Sequence, residues 1–154
     1  MFQLTKASVD TSVIIEYIDE KGECHEQAKV IFSAFLAGKL EAIIPSPILA
    51  EVYYVASRIY QKLGVKDPET IAMKLVEWLY RLPTVIIADT SLDLALEVGK
   101  IKLRYKLALT DCYVLAISKI YNCTALFKKP EKEMLENIEQ LKENYRIVFL
   151  KDYV

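Results

Sequence analysis

Three acidic residues stand where a folded chain has reason to avoid charge. Asp10 closes the short apolar approach in "KASVDTSVIIEY" (6–17), and Thr11 and Ser12 follow at once. Glu51 lies inside "PSPILAEVYYV" (45–55), and Asp111 follows Thr110 in "LALTDCYVLAIS" (107–118). Each acid has an ordinary reading when taken alone. Aspartate is a common helix cap and turn residue, which accounts for Asp10. An acid in a first helical turn is favoured by the helix dipole, which accounts for Asp111. Glu51 can turn outward or pair with a lysine. Taken together, the three invite a shared explanation. Carboxylates a few ångströms apart repel strongly. A hard divalent cation relieves that repulsion, and Mg²⁺ and Mn²⁺ prefer oxygen ligands while keeping several waters. Such an ion can turn a bound water into a nucleophile and stabilise charge on a phosphodiester in flight.

For that chemistry the three acids must meet, and the apolar pattern says how. Short, nearly all-apolar runs at 6–10, 40–45, 84–88, 123–127 and 146–150 read as strands. Helical patterns fill the intervals at about 12–20, 25–37, 47–63, 68–82, 90–105, 110–121 and 131–143. Gly38 ends the second of them. Ser46-Pro47 and Asp67-Pro68 are helix starts, and "TSLD" (90–93) has the capping-box pattern. Strands apolar on both faces and separated by helices indicate a parallel sheet in an α/β sandwich. Ligands of such sheets bind at the carboxyl ends of the strands, which is where Asp10 falls. In the helix 47–63, Ile48, Val52, Val55, Ile59 and Leu63 form the apolar stripe. Glu51 lies about 60° from its centre, at the edge of the stripe. A carboxylate there is costly to desolvate unless it finds a cation or a donor.

The bulk properties bound the answer. The 154 residues amount to one domain, 1–154, with 53% hydrophobic and 27% charged residues, enough to bury a core unaided. The net charge of −1 gives no global positive field, so a nucleic-acid partner must be held by a local patch. Residues 1–15 show no leader pattern and no run is apolar enough for a membrane span, so a cytoplasmic chain with no membrane partner is expected. Cys24, Cys112 and Cys123 lack zinc-type spacing and cannot all pair, which suits a reducing setting. A single histidine, His25, excludes a histidine-rich zinc site and a two-histidine mechanism. The dominance of Lys and Glu leans toward a thermophilic composition.

At its three acid-bearing stretches the chain resembles the PIN domain family, and in particular the VapC-like ribonucleases. Many prokaryotic members of that group are toxins of type II toxin–antitoxin pairs. The resemblance covers nearly the whole chain. It implies a three-layer α/β/α sandwich with a five-stranded parallel sheet of order 3-2-1-4-5. It implies Mg²⁺- or Mn²⁺-dependent hydrolysis of single-stranded RNA, with Asp10, Glu51 and Asp111 as catalytic, metal-binding acids. Thr11 or Ser12 corresponds to the hydroxyl that helps to hold the first acid or its water. A cognate antitoxin and a homodimer are also implied, the dimer surface lying on the helices between strands two and three.

The chain departs from the family at a fourth position. Many members carry another Asp just after strand four, where this chain reads "ALFKKPEKEM" (125–134). Glu131 is the candidate substitute, with Glu133 further on. Loss of that acid weakens a second metal site more than a first. RNA contacts would come from Arg58, Lys62, Arg104, Lys128 and Lys129, with Lys100, Lys102 and Lys106 nearby. Ordinary solvated helix faces are the better explanation for any one of these taken alone. Tyr53, Tyr54 and Tyr60 could stack bases, but core or dimer packing explains them better. Two other readings compete. One is a non-catalytic PIN-like module that binds RNA or protein. The other is a phosphoacceptor receiver domain built on Asp89, which lacks the acid pair expected near Asp10.

Overall fold

The computed structural model describes residues 5–154. Residues 1–4, part of the stretch searched for a leader, lie outside the described residues. Five strands, β1 (Thr5–Val9), β2 (Leu40–Pro45), β3 (Val85–Ala88), β4 (Thr124–Phe127) and β5 (Ile147–Phe149), form one sheet of order β3-β2-β1-β4-β5. Every pairing is parallel. The expected order is therefore the observed one. It also disposes of the receiver reading, because that doubly wound type runs 2-1-3-4-5.

Two helices fill each connection. Helices α1 (Thr11–Ile18) and α2 (His25–Leu36) precede β2, and α3 (Ser46–Lys62) and α4 (Pro68–Arg81) precede β3. Helices α5 (Leu92–Tyr105) and α6 (Leu109–Ile120) lead to β4, and α7 (Lys132–Glu136) and α8 (Ile138–Asn144) lead to β5. The chain steps from β1 to β2 to β3 in one direction, then returns to lay β4 and β5 on the other side of β1. Because crossovers between parallel strands are right-handed, that reversal sends the later helices to the opposite face. It also opens a crevice at the carboxyl ends of β1 and β4.

The core is the sheet's own apolar content plus one side of each helix. Ala42, Ile43 and Ile44 of β2 are buried, as are Val9 of β1 and Ala125 and Phe127 of β4. Helix α6 packs across β1, β2 and β4, and almost all of its residues from Asp111 to Ser118 are buried. Tyr17, Phe32 and Trp78 stack to tie α1, α2 and α4 together, with the Tyr17 and Phe32 rings 4.1 Å apart.

The helix ends differ from the sequence reading in several places. Ser46 is the first residue of α3, not its cap. Ser91, not Thr90, caps α5, accepting from the Leu94 N–H at 3.1 Å, so the cap falls one residue inside the "TSLD" box. The single helix expected at 131–143 breaks at Asn137 into α7 and α8. The stripe of α3 also ends early. Ile48, Val52 and Ala56 are buried, whereas Leu63, the C-cap that follows the last helical residue Lys62, is half exposed.

Candidate active site

Asp10 leaves β1 in extended conformation and caps α1. Its backbone N–H donates to Leu126 O of β4 at 3.0 Å, so the residue is fixed where the sheet order reverses. Its Oδ2 accepts from the Ser12 N–H at 3.1 Å and from the Ser12 hydroxyl at 2.6 Å. The other oxygen, Oδ1, is buried with no hydrogen-bond partner, and so is Oγ1 of Thr11. Ser12 is therefore the hydroxyl that holds the acid, and Thr11 presents an unengaged oxygen beside it.

Glu51 comes from the second turn of α3, and Asp111 from the first turn of α6. Both line one cavity of about 500 Å³ together with Asp10, Thr11, Ser12, Thr110, Lys128, Glu131 and Glu133. Asp10 and Asp111 are only 7% and 8% exposed, too little for water to hydrate both charges. Burial, and to a smaller degree the charge of Glu51, push Asp10 up to about 6 against the opposing bonds from Ser12. Burial pushes Asp111 up to about 8, with Asp10, Glu51, Glu131 and Glu133 adding repulsion in that order. Glu51 is half-buried and accepts from the Thr110 hydroxyl at 3.0 Å.

The donor set suits a hard cation. It consists of carboxylate and hydroxyl oxygens with no thiol or imidazole, and it includes a buried carboxylate oxygen that nothing else satisfies. Among the described residues no three such side chains are gathered tightly enough to enclose an ion. That arrangement fits a small ion that keeps waters of its own better than one caged wholly by protein.

The remaining sequence candidates divide. Glu131 and Glu133 both reach the cavity from the segment after β4, and both are exposed. Lys128 borders the cavity, but its ammonium is ion-paired with Glu16. Arg58 lies over the Tyr54 ring, 5.6 Å from its centre, in a separate cavity between α3 and α4. Arg104 lines a small cavity beside Glu97, Lys100 and Lys119. Lys62 and Lys129 are exposed and do not line the acidic cavity.

Two participants escape the sequence reading. In sequence Thr110 is only the neighbour of Asp111, yet in the fold it is the donor to Glu51. Nothing in the motifs singles out Glu16, although it is 3% exposed and lines the cavity wall. Its one signal is its place three residues after Val13, on the inner side of α1.

An α/β/α sandwich with a 3-2-1-4-5 parallel sheet and acids from three connections gathered at its carboxyl edge defines a class of fold. The sequence model of the PIN domain matches residues 7–129, and the chain belongs to the PIN domain family. A search of curated proteins finds no match. Among solved structures, VapBC2 from Rickettsia felis, bound to a promoter DNA fragment, aligns with a TM-score of 0.63 at 13% identity. That alignment covers 94% of this chain and 98% of the other. A toxin–antitoxin complex from Klebsiella pneumoniae aligns at 0.56 and 22% identity over 83% and 89% of the two chains. VapC20 of Mycobacterium tuberculosis, described as a toxin that cleaves the sarcin-ricin loop, aligns at 0.60 and 17% identity over 77% and 86%. At these identities the likeness is one of fold.

Proposed function

We propose that this chain is a divalent-metal-dependent endoribonuclease that hydrolyses single-stranded RNA, and that it is the toxin of a VapC-type pair. The observation that carries the reading is the convergence of Asp10, Glu51 and Asp111 on one cavity, where burial and neighbouring acids push Asp10 and Asp111 above the usual carboxylate range. Membership of the PIN domain family supports it. So do the toxin–antitoxin complexes among the similar structures.

In this reading Asp10, Glu51 and Asp111 hold Mg²⁺ or Mn²⁺, with Glu131 at the rim. The bound ion supplies a nucleophilic water at neutral pH and stabilises charge on the phosphate. Ser12 orients Asp10 through Oδ2. Thr110 fixes the Glu51 carboxylate, so that Glu51 and Asp111 keep a constant spacing. Exposed Lys129, next to Lys128 in the chain but outside the cavity lining, meets an RNA phosphate beyond the rim in this reading, since the Lys128 ammonium is already paired. The exposed Tyr53, Tyr54, Met73 and Tyr80 of α3 and α4 supply the surface for a homodimer. A cytoplasmic setting agrees with three free cysteines, Cys24, Cys112 and Cys123.

The deciding experiment incubates the purified protein with labelled single-stranded RNA in Mg²⁺, in Mn²⁺ and in chelator. Cleavage that needs the ion and is lost in Asp10→Asn and Asp111→Asn supports the reading. Binding of RNA without cleavage, and without measurable affinity for Mn²⁺, would replace it with the non-catalytic module that the missing fourth aspartate suggests.

A further inference from the structure

Lys128 occupies the carboxyl end of β4, directly across the strand reversal from Asp10. Its backbone is held on both sides. Its N–H donates to the Ser12 hydroxyl oxygen at 3.0 Å, and its carbonyl accepts from the Lys151 N–H at 2.9 Å. Because the Ser12 oxygen accepts from Lys128, its own proton is free to point at Oδ2 of Asp10, the 2.6 Å contact. A continuous chain of hydrogen bonds thus runs from the peptide of Lys128 to the first acid.

The side chain of Lys128 anchors the same segment a second time. Its ammonium pairs with Oε1 of Glu16 on α1, the helix that Asp10 caps. Glu16 sits in a prepared recess. Its Oε2 accepts from the Cys24 N–H at 3.3 Å, and the site requires Gly22, since a Cβ there would lie 1.8 Å from Oε2. Lys151 pairs with Glu23 at 2.7 Å, and the other Glu23 oxygen lies 4.0 Å from the Lys128 ammonium, so this outer pair adjoins the first. With Glu16 buried and the Lys128 side chain 26% exposed, the pair is a poor device for stability alone, because desolvating the carboxylate offsets much of what the attraction gains. Its better-attested use is to fix one arrangement among several.

We propose that the Glu16–Lys128 pair is a positioning device for Asp10. It clamps the end of β4 to α1, so that the Lys128 N–H fixes the Ser12 hydroxyl. Ser12 then engages Oδ2 and leaves Oδ1, which has no protein partner, for a cation. Lys128 and Glu16 are positioning residues that touch neither substrate nor ion. The inference rests on the reading that Asp10 binds a divalent cation.

The test is Mn²⁺ affinity, measured by titration calorimetry on the full chain well below its unfolding temperature. The Glu16→Gln/Lys128→Met double variant leaves no bare buried charge, and its Mn²⁺ affinity is expected to fall about 10-fold. Lys128→Arg keeps the pair and binds within about twofold of the parent. Lys151→Met, which removes only the outer pair, binds as the parent does. Ser12→Ala is expected to lose as much as the double variant, and the combination loses no more, because both act through one chain of bonds. A pair that served stability alone would lower the melting temperature and leave Mn²⁺ affinity unchanged. The proposal is overturned if the folded double variant binds Mn²⁺ like the parent. Unchanged affinity in Ser12→Ala overturns it too, and that small substitution decides the matter if the neutralised pair does not fold. A parent that binds no Mn²⁺ removes both this inference and the proposed function, whereas a parent that binds alongside insensitive variants removes this inference alone.

Discussion

The Thr110 hydroxyl donates to Oε2 of Glu51 at 3.0 Å, joining residues 59 apart in the chain. The bond ties the first turn of α6 to the second turn of α3, and so fixes two of the three acids relative to each other. Thr110→Val keeps the shape and removes the donor. Glu51 is half-buried and can recover a water, so the expected loss of stability is small, about 0.5–1.5 kcal/mol. Mn²⁺ affinity should fall about 10-fold, as is usual when a ligand loses its outer partner. Thr110→Ser should restore it. Denaturant unfolding and calorimetry on the same samples separate the two effects.

Removal of an acid itself should cost more than removal of its partner. Asp10→Asn and Asp111→Asn are expected to lower metal-dependent RNA cleavage by about 100-fold or more, at the upper end of what outer partners cost. Glu131→Gln and Glu133→Gln should lower it by less than about 10-fold, because both side chains are exposed and water screens them. Initial cleavage rates at saturating Mg²⁺ give the comparison. A Glu131→Gln loss equal to that of Asp111→Asn would make Glu131 a full member of the ligand set.

The metal-free protein should lose stability as the pH rises. Aspartate ordinarily titrates at 3.8, and here Asp10 titrates at about 6 and Asp111 at about 8. Between about pH 4 and pH 8 these two groups therefore hold more protons in the folded chain than in the unfolded chain, and their contribution to stability falls with pH across that window. In chelator, melting temperatures from pH 5.5 to 8.5 should slope downward. The slope should flatten in Asp10→Asn/Asp111→Asn, and also in the parent saturated with Mn²⁺. A parent and double variant with parallel slopes would mean that these acids are not displaced.

Glycine substitutions provide a paired test of the recess behind the site. In Gly22→Ala the new Cβ meets the Glu16 carboxylate, with 1.8 Å to Oε2 and 2.7 Å to Cδ. Glu16 must then leave its place, at an expected cost of about 1–3 kcal/mol. Gly99→Ala lies within α5, with open space around the added carbon. It should stabilise by about 0.4–1 kcal/mol through helix propensity and the unfolded chain. Urea unfolding of the two variants against the parent reads both signs in one series.

Much of the fold is legible in the sequence because its signals are local. Apolar runs of five or six residues mark all five strands to within one residue of their ends, since a buried parallel strand has no polar face to break the run. Caps are less legible. Thr90 and Ser91 are adjacent hydroxyls, and only the course of the backbone decides which one accepts from α5. The break at Asn137 is also hidden, because the residues around it are helix formers; in the fold the Asn137 amide donates to Tyr105 O of α5 at 3.4 Å and to Glu133 O at 3.0 Å. Leu63 misleads for a related reason. Its spacing fits the stripe of α3, but the helix ends at Lys62 and Leu63 is left half exposed at the C-cap.

For the site, the sequence by itself determined the chemical types. It set three acids beside strand ends and helix starts, with hydroxyls next to two of them, Thr11 and Ser12 beside Asp10 and Thr110 beside Asp111. Residue type and short-range periodicity suffice for that, since both are read along the chain. Only the tertiary structure decided which group serves which. It assigned Ser12 to Asp10, Thr110 to Glu51 and Lys128 to Glu16, and it placed Arg58 and Arg104 away from the acidic cavity. The last two pairings, and the Lys128 N–H contact to Ser12 across 116 residues, cross between connections. They exist because the sheet order reverses at β1, which sets β4 and the helix before it against the connections that leave β1 and β2. No periodicity within one segment encodes that meeting.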